Sequence, residues 1–250
     1  MLRWDALDEV RVCLDGDLPE AAAVAAAAAC TLPLVVHDYQ RAAVLGTATL
    51  LAAGRRALLL TAAHVIDGGV RLGNLLVPAA TGHDLIPLAG ARVARSGRAD
   101  IALLDIGAVP GAAQILRGRR PALMPPHALR RRRRHAPPRS GALVSGYPAA
   151  LARFERGWLA ARRLTLFTRR HAEEGDAGEH LYVYGRVANR ADGTPIHTPE
   201  LPGMSGAGIW AIHRRSAATM LRLVAVQSSY LHGRYLRGHD VAAVQELMRL

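Results

Sequence analysis

The stretch LPGMSGAGIW at residues 201–210 is the one around which the rest of the chain can be interpreted. Ser205 follows a glycine by two positions, precedes another directly, and leads into an apolar run that predicts a strand. A tight turn of this kind can direct successive backbone N–H groups into one cavity, as an oxyanion site requires. Gly203 and Ser205 would supply those donors, and the Ser205 hydroxyl would be the nucleophile. Ordinary turns also contain Gly-x-Ser-Gly, so the interpretation needs a base and an acid elsewhere.

Two other stretches supply those partners. LLLTAAHV at residues 58–65 predicts a strand that ends in small residues and places His64 where an imidazole can face a cleft. ADIALLDI at residues 99–106 places Asp100 at the mouth of an apolar strand, where a carboxylate needs a hydrogen-bonding partner such as a histidine N–H. Asp105 is a competing acid, and a single histidine is more often structural than catalytic.

Taken together, these stretches resemble one family. TAAH (residues 61–64), ADIAL (99–103) and GMSG (203–206) are similar to the histidine, aspartate and serine boxes of trypsin-like, chymotrypsin-fold serine peptidases, in that family's chain order. GTA at residues 46–48 resembles the family's glycine-threonine-glycine, with Ala48 departing at the third position. The resemblance points to a bacterial-type intracellular member of the family.

The resemblance implies a serine endopeptidase that hydrolyses peptide bonds. His64 would be the general base, Asp100 would orient it, and Ser205 would attack the scissile carbonyl. The N–H groups of Gly203 and Ser205 would form the oxyanion hole. A polypeptide substrate is therefore expected, and no cofactor or metal. The acidic, histidine-containing stretch 171–180 lacks zinc or calcium spacing and is expected to be a solvated turn.

For substrate binding, the resemblance implicates Ser228 and Pro199. The segment around Ser228 would be the edge strand that pairs with the substrate backbone. Pro199 stands where trypsin has its aspartate that selects basic residues, so a small or apolar side chain is expected at the cleavage site. Met204 stands where digestive members have an aspartate that pairs with a new N-terminus, so no zymogen cleavage of that kind is expected.

Short apolar segments broken by glycine begin at residue 32 and predict an all-β fold. By resemblance, this fold consists of two six-stranded antiparallel β-barrels with an N-terminal helical segment and a short C-terminal helix. The expected divisions are an acidic, alanine-rich helical segment (1–31), a first barrel with His64 and Asp100 (32–116), an Arg/Pro-rich linker (117–140), a second barrel with Ser205 (141–236) and a closing helix (237–250).

The composition limits the partners. The formal charge is +12, and all 32 basic residues are arginine, which together with the alanine excess indicates compositional bias rather than dedicated nucleic-acid binding. The run Arg130–Arg134 is expected to be an exposed loop, with a docking patch for a regulatory protein or acidic surface as the alternative. No apolar run approaches the roughly 20 residues of a membrane span. The acidic start is unlike a signal peptide, so a cytoplasmic location is expected.

Other functions stay open at this point. An α/β-hydrolase could use the same serine turn, but its acid and histidine follow the serine, and only residues 206–250 remain. A catalytically silent or partner-gated protease fold that binds peptides is a closer rival. A third alternative is an interaction protein that uses its arginine-rich linker.

Overall fold

Strands dominate the secondary structure. The computed structural model describes residues 2–14, 21–38, 41–119, 122–123, 141–215 and 218–248. The first half of this part contains strands β1 (Arg3–Cys13), β2 (Thr31–Asp38), β3 (Arg41–Ala53), β4 (Arg56–Thr61), β5 (Leu75–Pro78), β6 (Leu85–Pro87), β7 (Arg92–Arg95), β8 (Ala102–Asp105) and β9 (Ala122–Leu123). The second half contains β10 (Ala142–Gly146), β11 (Ala152–Glu155), β12 (Trp158–Thr168), β13 (Glu179–Val183), β14 (Val187–Arg190), β15 (Pro195–His197), β16 (Gly208–Arg215), β17 (Ala218–Leu231) and β18 (Tyr235–Asp240). The predicted mostly-β fold is confirmed.

These strands form two sheets. The first has the order β6-β5-β2-β3-β4-β8-β7, with β9 added to β3 in parallel. Strand β4 lies inside this sheet, and its run Leu58 to Leu60 is fully buried on both faces. The second has the order β13-β18-β17-β16-β10-β12-β1-β14-β15, with β11 paired to β12. Strand β4 of the first sheet ends at Thr61, just before the helix that contains His64, and the second sheet contains the strand that follows Ser205.

The N-terminal segment departs from the expectation. Residues Arg3–Cys13 form a strand, not part of a helical segment, and this strand runs parallel to β12 inside the second sheet. Its partly alternating burial explains the difference, because Trp4 and Val12 are buried while the preceding Arg3 and Arg11 are exposed. Strand β1 therefore pairs with β12, which lies far from it in the sequence, so no local sequence pattern could predict this pairing.

In the described part of the chain, four α-helices accompany the sheets. They are α1 (Ala21–Ala29), α2 (Ala63–Asp67), α3 (Ala112–Leu116) and α4 (Ala242–Met248), and short 3-10 turns occur at Leu72–Asn74 and Ala149–Leu151. Helix α1 is almost all alanine, the strongest helix former, and it buries Val24 and Ala27 in the main core. The predicted closing helix is shorter than expected because strand β18 continues to Asp240. None of the described helices is long and apolar enough to span a membrane.

The buried apolar residues that the structure describes form three clusters. The main one joins the first sheet to α1, α4 and one end of the second sheet, and another fills the second sheet around Leu164 and Met204. The third lies where β1 meets both sheets, and it contains Trp4, Val35, Tyr147 and Leu159. The predicted linker lies mainly outside the described residues, including all of Arg130–Arg134.

Strand β1 also brings a partly buried acid into the second sheet. Glu9, with 11 % of its side chain exposed, accepts hydrogen bonds from Arg11 Nε (2.7 Å), Arg163 Nε (3.1 Å) and the Thr165 hydroxyl (2.5 Å). Burial raises the pKa of Glu9, but these hydrogen bonds outweigh it and leave the pKa below its usual value. The ionised form of Glu9 is thus the one that the fold stabilises.

We expect Glu9→Gln to lower the free energy of unfolding by about 1–3 kcal/mol near neutral pH, because charge-assisted hydrogen bonds are lost. Since the folded-state pKa is lowered, the wild-type advantage is full above the ordinary glutamate pKa and disappears as pH falls through the folded value. Urea denaturation of both proteins across this pH range measures the difference. Asp8→Asn, at an exposed neighbouring position, is the control. Equal stabilities near neutral pH would contradict the expectation.

Candidate active site

His64 lies at the start of helix α2, directly after strand β4. Ala62 and Ala63 are buried, and their small side chains let the chain turn tightly out of the sheet. The His64 side chain is 52 % exposed, so its outer edge is accessible to a substrate. The structure thus places this histidine in the first turn of a helix that follows a buried strand, with its ring at the surface.

Asp100 holds that ring through two contacts. Its Oδ1 accepts the backbone N–H of His64 at 2.9 Å, and its Oδ2 lies 2.5 Å from Nδ1 of the same residue. A carboxylate only accepts, so Nδ1 carries the proton and Nε2 of the neutral ring is the free base. Asp105, the competing acid, is bound to Arg56 Nε at 2.9 Å instead. The structure pairs His64 with the aspartate that the sequence favoured.

The contact between His64 and Asp100 changes the acidity of both partners. The hydrogen bond to Asp100 raises the pKa of His64, and the nearby negative charges of Asp100 and Asp67 raise it further. Partial burial lowers the pKa, but the net pKa is raised. Partial burial raises the pKa of Asp100, but the hydrogen bonds from His64 outweigh it and the net pKa is lowered. Asp100 is therefore held as a carboxylate, and the protonated form of His64 is stabilised.

The turn around Ser205 depends on two glycines. Gly203 and Gly206 have φ angles of +94° and +95°, a region that side chains disfavour. A Cβ at Gly206 would also lie 2.0 Å from the Thr47 carbonyl oxygen. Only glycine fits here, because the serine turn is pressed against strand β3 of the first sheet.

Backbone hydrogen bonds in this turn leave two donors unused. The N–H groups of Met204, Gly206 and Ala207 donate to the carbonyls of Leu201 (2.8 Å), Gln227 (2.7 Å) and Met204 (2.9 Å). Among the described residues, the N–H groups of Gly203 and Ser205 have no acceptor. These are the two amides that the sequence suggested for an oxyanion site.

Thr47 joins the serine turn to the first sheet. Its N–H donates to the Ser205 carbonyl at 2.8 Å, and its hydroxyl donates to the Gly203 carbonyl at 2.8 Å. Gly46, the preceding residue, lies between Val65 and the Ser205 carbonyl, because a Cβ there would approach these groups to 2.6 Å and 3.1 Å. Val65 follows His64 in α2, so the histidine and serine segments meet on the two sides of Gly46.

The Ser205 hydroxyl itself has a different partner. It donates to the Ser228 carbonyl at 3.2 Å, and the structure contains no hydrogen bond between Ser205 and His64. Ser228, the predicted substrate-binding position, is therefore in direct contact with the serine. Asp100 and His64 form one pair, and Ser205 and Ser228 form another.

Pro199 lies in a tyrosine-rich cluster that the sequence analysis missed. Its carbonyl accepts a hydrogen bond from the buried Tyr184 hydroxyl. Tyr230 donates to the Glu200 carboxylate, and its ring meets that of Tyr184 edge-on with centroids 6.1 Å apart. His232 completes the cluster, with Nδ1 3.3 Å from Glu200 Oε1. In the sequence, Glu200 follows the predicted site residue Pro199, and Tyr230 lies two residues after Ser228; no other sequence feature indicated the cluster.

Comparison with known proteins adds no assignment. No protein-family model and no curated protein matches the chain. Within the described residues, no group of three or more His, Cys, Asp and Glu side chains is arranged to hold a metal ion. The chemistry of the site must therefore be argued from its own geometry.

We expect the pKa of His64, measured by NMR titration of its ring signals, to lie above that of an ordinary histidine. Asp100→Asn should bring it down, because the stabilising charge and the strongest acceptor are both lost. Asp67→Asn is the matched control and should cause a smaller decrease, since Asp67 acts only through its charge. An unchanged His64 pKa in Asp100→Asn would contradict this description of the pair.

Proposed function

We propose that this chain is a serine endopeptidase of the trypsin-like kind. The observation that carries the proposal is the pair of unused N–H groups at Gly203 and Ser205, in a turn whose other amides are all bonded. The pairing of Asp100 with His64 supports it, because it leaves a free base nitrogen on a half-exposed ring. A base, an orienting acid, a serine and two free amides are the parts that acyl transfer requires.

The proposed reaction proceeds through an acyl-enzyme. His64 Nε2 takes the Ser205 proton while Oγ attacks the scissile carbonyl carbon, and the developing oxyanion is held by the N–H groups of Gly203 and Ser205. His64 then gives the proton to the leaving amine as the C–N bond breaks. Water attacks the ester by the same steps, and the serine is regenerated. The carboxylate of Asp100 stabilises the imidazolium in each step.

Two closed six-stranded barrels are part of the proposal. In the second sheet, β12-β10-β16-β17-β18-β13 follow one another as neighbours. An antiparallel bridge between Arg170 and Tyr182 then links the end of β12 back to β13, which supports a closed ring. The first sheet would supply the other barrel, with the arginine-rich linker between them. In this arrangement His64 and Asp100 come from one barrel and Ser205 from the other.

Activation by a new N-terminus has no support at this turn. Met204 is fully buried, and its sulfur packs so close to Gly146 that a Cβ there would lie 2.7 Å from it. An apolar side chain cannot form an ion pair with an amino group. We therefore propose that the chain needs no digestive-type cleavage to become active.

One observation favours a second candidate, a catalytically silent or partner-gated peptide-binding module. The Ser205 hydroxyl donates to the Ser228 carbonyl and not to His64. A partner or substrate that displaced this contact would switch the serine toward the base. The following experiment separates the two candidates.

We expect a fluorophosphonate probe to label wild-type protein at Ser205. Ser205→Ala removes the hydroxyl oxygen that bonds to the phosphorus of the probe, so it should abolish labelling. His64→Ala should slow labelling by about 10⁴-fold because the base is lost. His171→Ala, a histidine that packs on Tyr235, is the control and should label like wild type. Folded wild type that resists the probe would favour the partner-gated candidate over the enzyme.

We also expect a preference for small side chains at the cleavage site. Tyr230 lies two residues after Ser228 and its hydroxyl binds Glu200 in the segment before Ser205, so we expect its ring to fill the space between the Ser228 strand and that segment. Peptide substrates with alanine at the cleavage position should therefore be cleaved faster than those with phenylalanine. Tyr230→Gly should raise kcat/KM for phenylalanine about 10- to 100-fold relative to alanine. Tyr230→Phe keeps the ring and should keep the preference, and a wild type that favours phenylalanine would contradict the argument.

A further inference from the structure

The N-terminal strand is anchored to both sheets by one buried tryptophan. The N–H of Trp4 donates to the His83 carbonyl at 2.8 Å, and the Trp4 carbonyl lies 2.9 Å from His83 Nδ1. The Trp4 ring is 5 % exposed and meets the Tyr147 ring edge-on, with centroids 5.9 Å apart. Strand β1 is thereby fixed to the first sheet at His83 and to the segment after β10 at Tyr147.

A polar route joins the same strand to the same tyrosine. Glu9 binds Arg163 Nε at 3.1 Å, and the Arg163 guanidinium interacts with the Tyr147 hydroxyl. The Tyr147 side chain, 6 % exposed, thus has one β1 residue against its ring and another connected to its hydroxyl through a single arginine. Both of its ends depend on β1.

Tyr147 in turn borders the serine turn through backbone contacts. Its N–H donates to the Thr47 hydroxyl at 2.9 Å, and that hydroxyl donates to the Gly203 carbonyl at 2.8 Å. Two residues further on, the Ala149 N–H donates to the Pro202 carbonyl at 2.6 Å. A Cβ at Gly203 would lie 2.6 Å from the Tyr147 carbonyl oxygen, so the two segments are in direct contact.

The Ala149 contact sets the direction of one proposed oxyanion donor. The Pro202 carbonyl and the Gly203 N–H belong to the same peptide group, which is planar and trans, so they point in opposite directions. An acceptor fixed by Ala149 therefore fixes the Gly203 N–H as well. Displacement of the 147–149 segment would rotate that N–H, which would then no longer point at the oxyanion.

We infer that Trp4 and Tyr147 are positioning residues, and that strand β1 sets the Gly203 N–H through Tyr147, Ala149 and the Thr47 hydroxyl. The consequence for catalysis rests on the proposed serine endopeptidase function, whereas the mechanical coupling between β1 and the turn does not. This gives the N-terminal strand a role at the site although it contributes no group to the reaction.

Amide hydrogen exchange tests the coupling without any need for activity. In Trp4→Ala, we expect exchange at the Ala149 and Met204 amides to accelerate about 10-fold or more, because the tyrosine loses its ring contact. Trp4→Phe should restore slow exchange, since an aromatic edge is retained. Trp158→Ala is the matched control, as it removes a ring, 36 % exposed, that packs against His83 at the same end of the β1–β12 pair. Faster exchange confined to β1 and β12 would overturn the inference.

Tyr147→Phe provides a second test in case the Trp4→Ala protein does not fold. It keeps the ring and loses only the hydroxyl that interacts with Arg163, so a few-fold acceleration at the same two amides is expected. Exchange as slow as in wild type would overturn the inference. Thr47→Val breaks the last contact without touching β1, and its effect on exchange should not add to that of Tyr147→Phe, because both act on one route. Additive effects would count against a shared route.

Kinetics extend the test to the chemistry. In Trp4→Ala, kcat should fall about 10- to 100-fold with little change in KM, since an oxyanion donor acts in the transition state. Wild type that a fluorophosphonate labels, but whose kcat is insensitive to Trp4→Ala, would overturn the catalytic role of the strand. Coupled exchange in a wild type that resists the probe would instead overturn the proposed function and leave the coupling in place.

Discussion

The hydrogen bonds of Thr47 are the constraint on which the arrangement of the site depends. This residue is fully buried on β3, and every polar group it has is used toward another segment. Its N–H and hydroxyl hold the carbonyls of Ser205 and Gly203, its carbonyl accepts the Thr61 hydroxyl at 2.8 Å, and its hydroxyl also accepts the Tyr147 N–H. A buried hydroxyl with both its donor and its acceptor capacity satisfied defines one geometry, because any displacement leaves a polar group unpaired. The relative placement of the histidine and serine segments follows from that geometry.

Close backbone approach is the second part of the same constraint. Gly46 and Gly206 lie on the two sides of the contact between β3 and the serine turn, and a Cβ at either would enter occupied space. The absence of side chains at these glycines lets two main chains meet directly, so that hydrogen bonds between backbones, together with the short Thr47 side chain, set the distances. Amides held in this way need no reorganisation when negative charge develops, which is the physical basis of an oxyanion hole.

The sequence was sufficient to predict features that depend on adjacent residues. The serine turn, the strand before His64 and the acid at Asp100 can each be recognised from adjacent residues, and the structure pairs His64 with Asp100. Strand β1 was missed because acidic residues obscure its alternation and its parallel partner β12 lies far along the chain. The Thr47 contacts span 100 residues to Tyr147 and 156 to Gly203, so no local pattern could reveal them. The same holds for the cluster of Tyr184 and Tyr230, whose rings come together only through the fold of the second sheet.

Rigidity is unevenly distributed between the groups of the site, and this matters for how the proposed chemistry would begin. The Ser205 hydroxyl is bound to the Ser228 carbonyl by one bond of 3.2 Å between neutral groups, worth about 1 kcal/mol. Rotation about one side-chain torsion releases it, and this costs little beside a barrier for acyl transfer. The amides of Gly203 and Ser205, in contrast, belong to peptide groups whose carbonyls are fixed by Ala149 and Ala207. The Ser205 hydroxyl is thus the group that moves most easily, and the two amides, which must not move in the transition state, are held by backbone hydrogen bonds from Ala149 and Ala207.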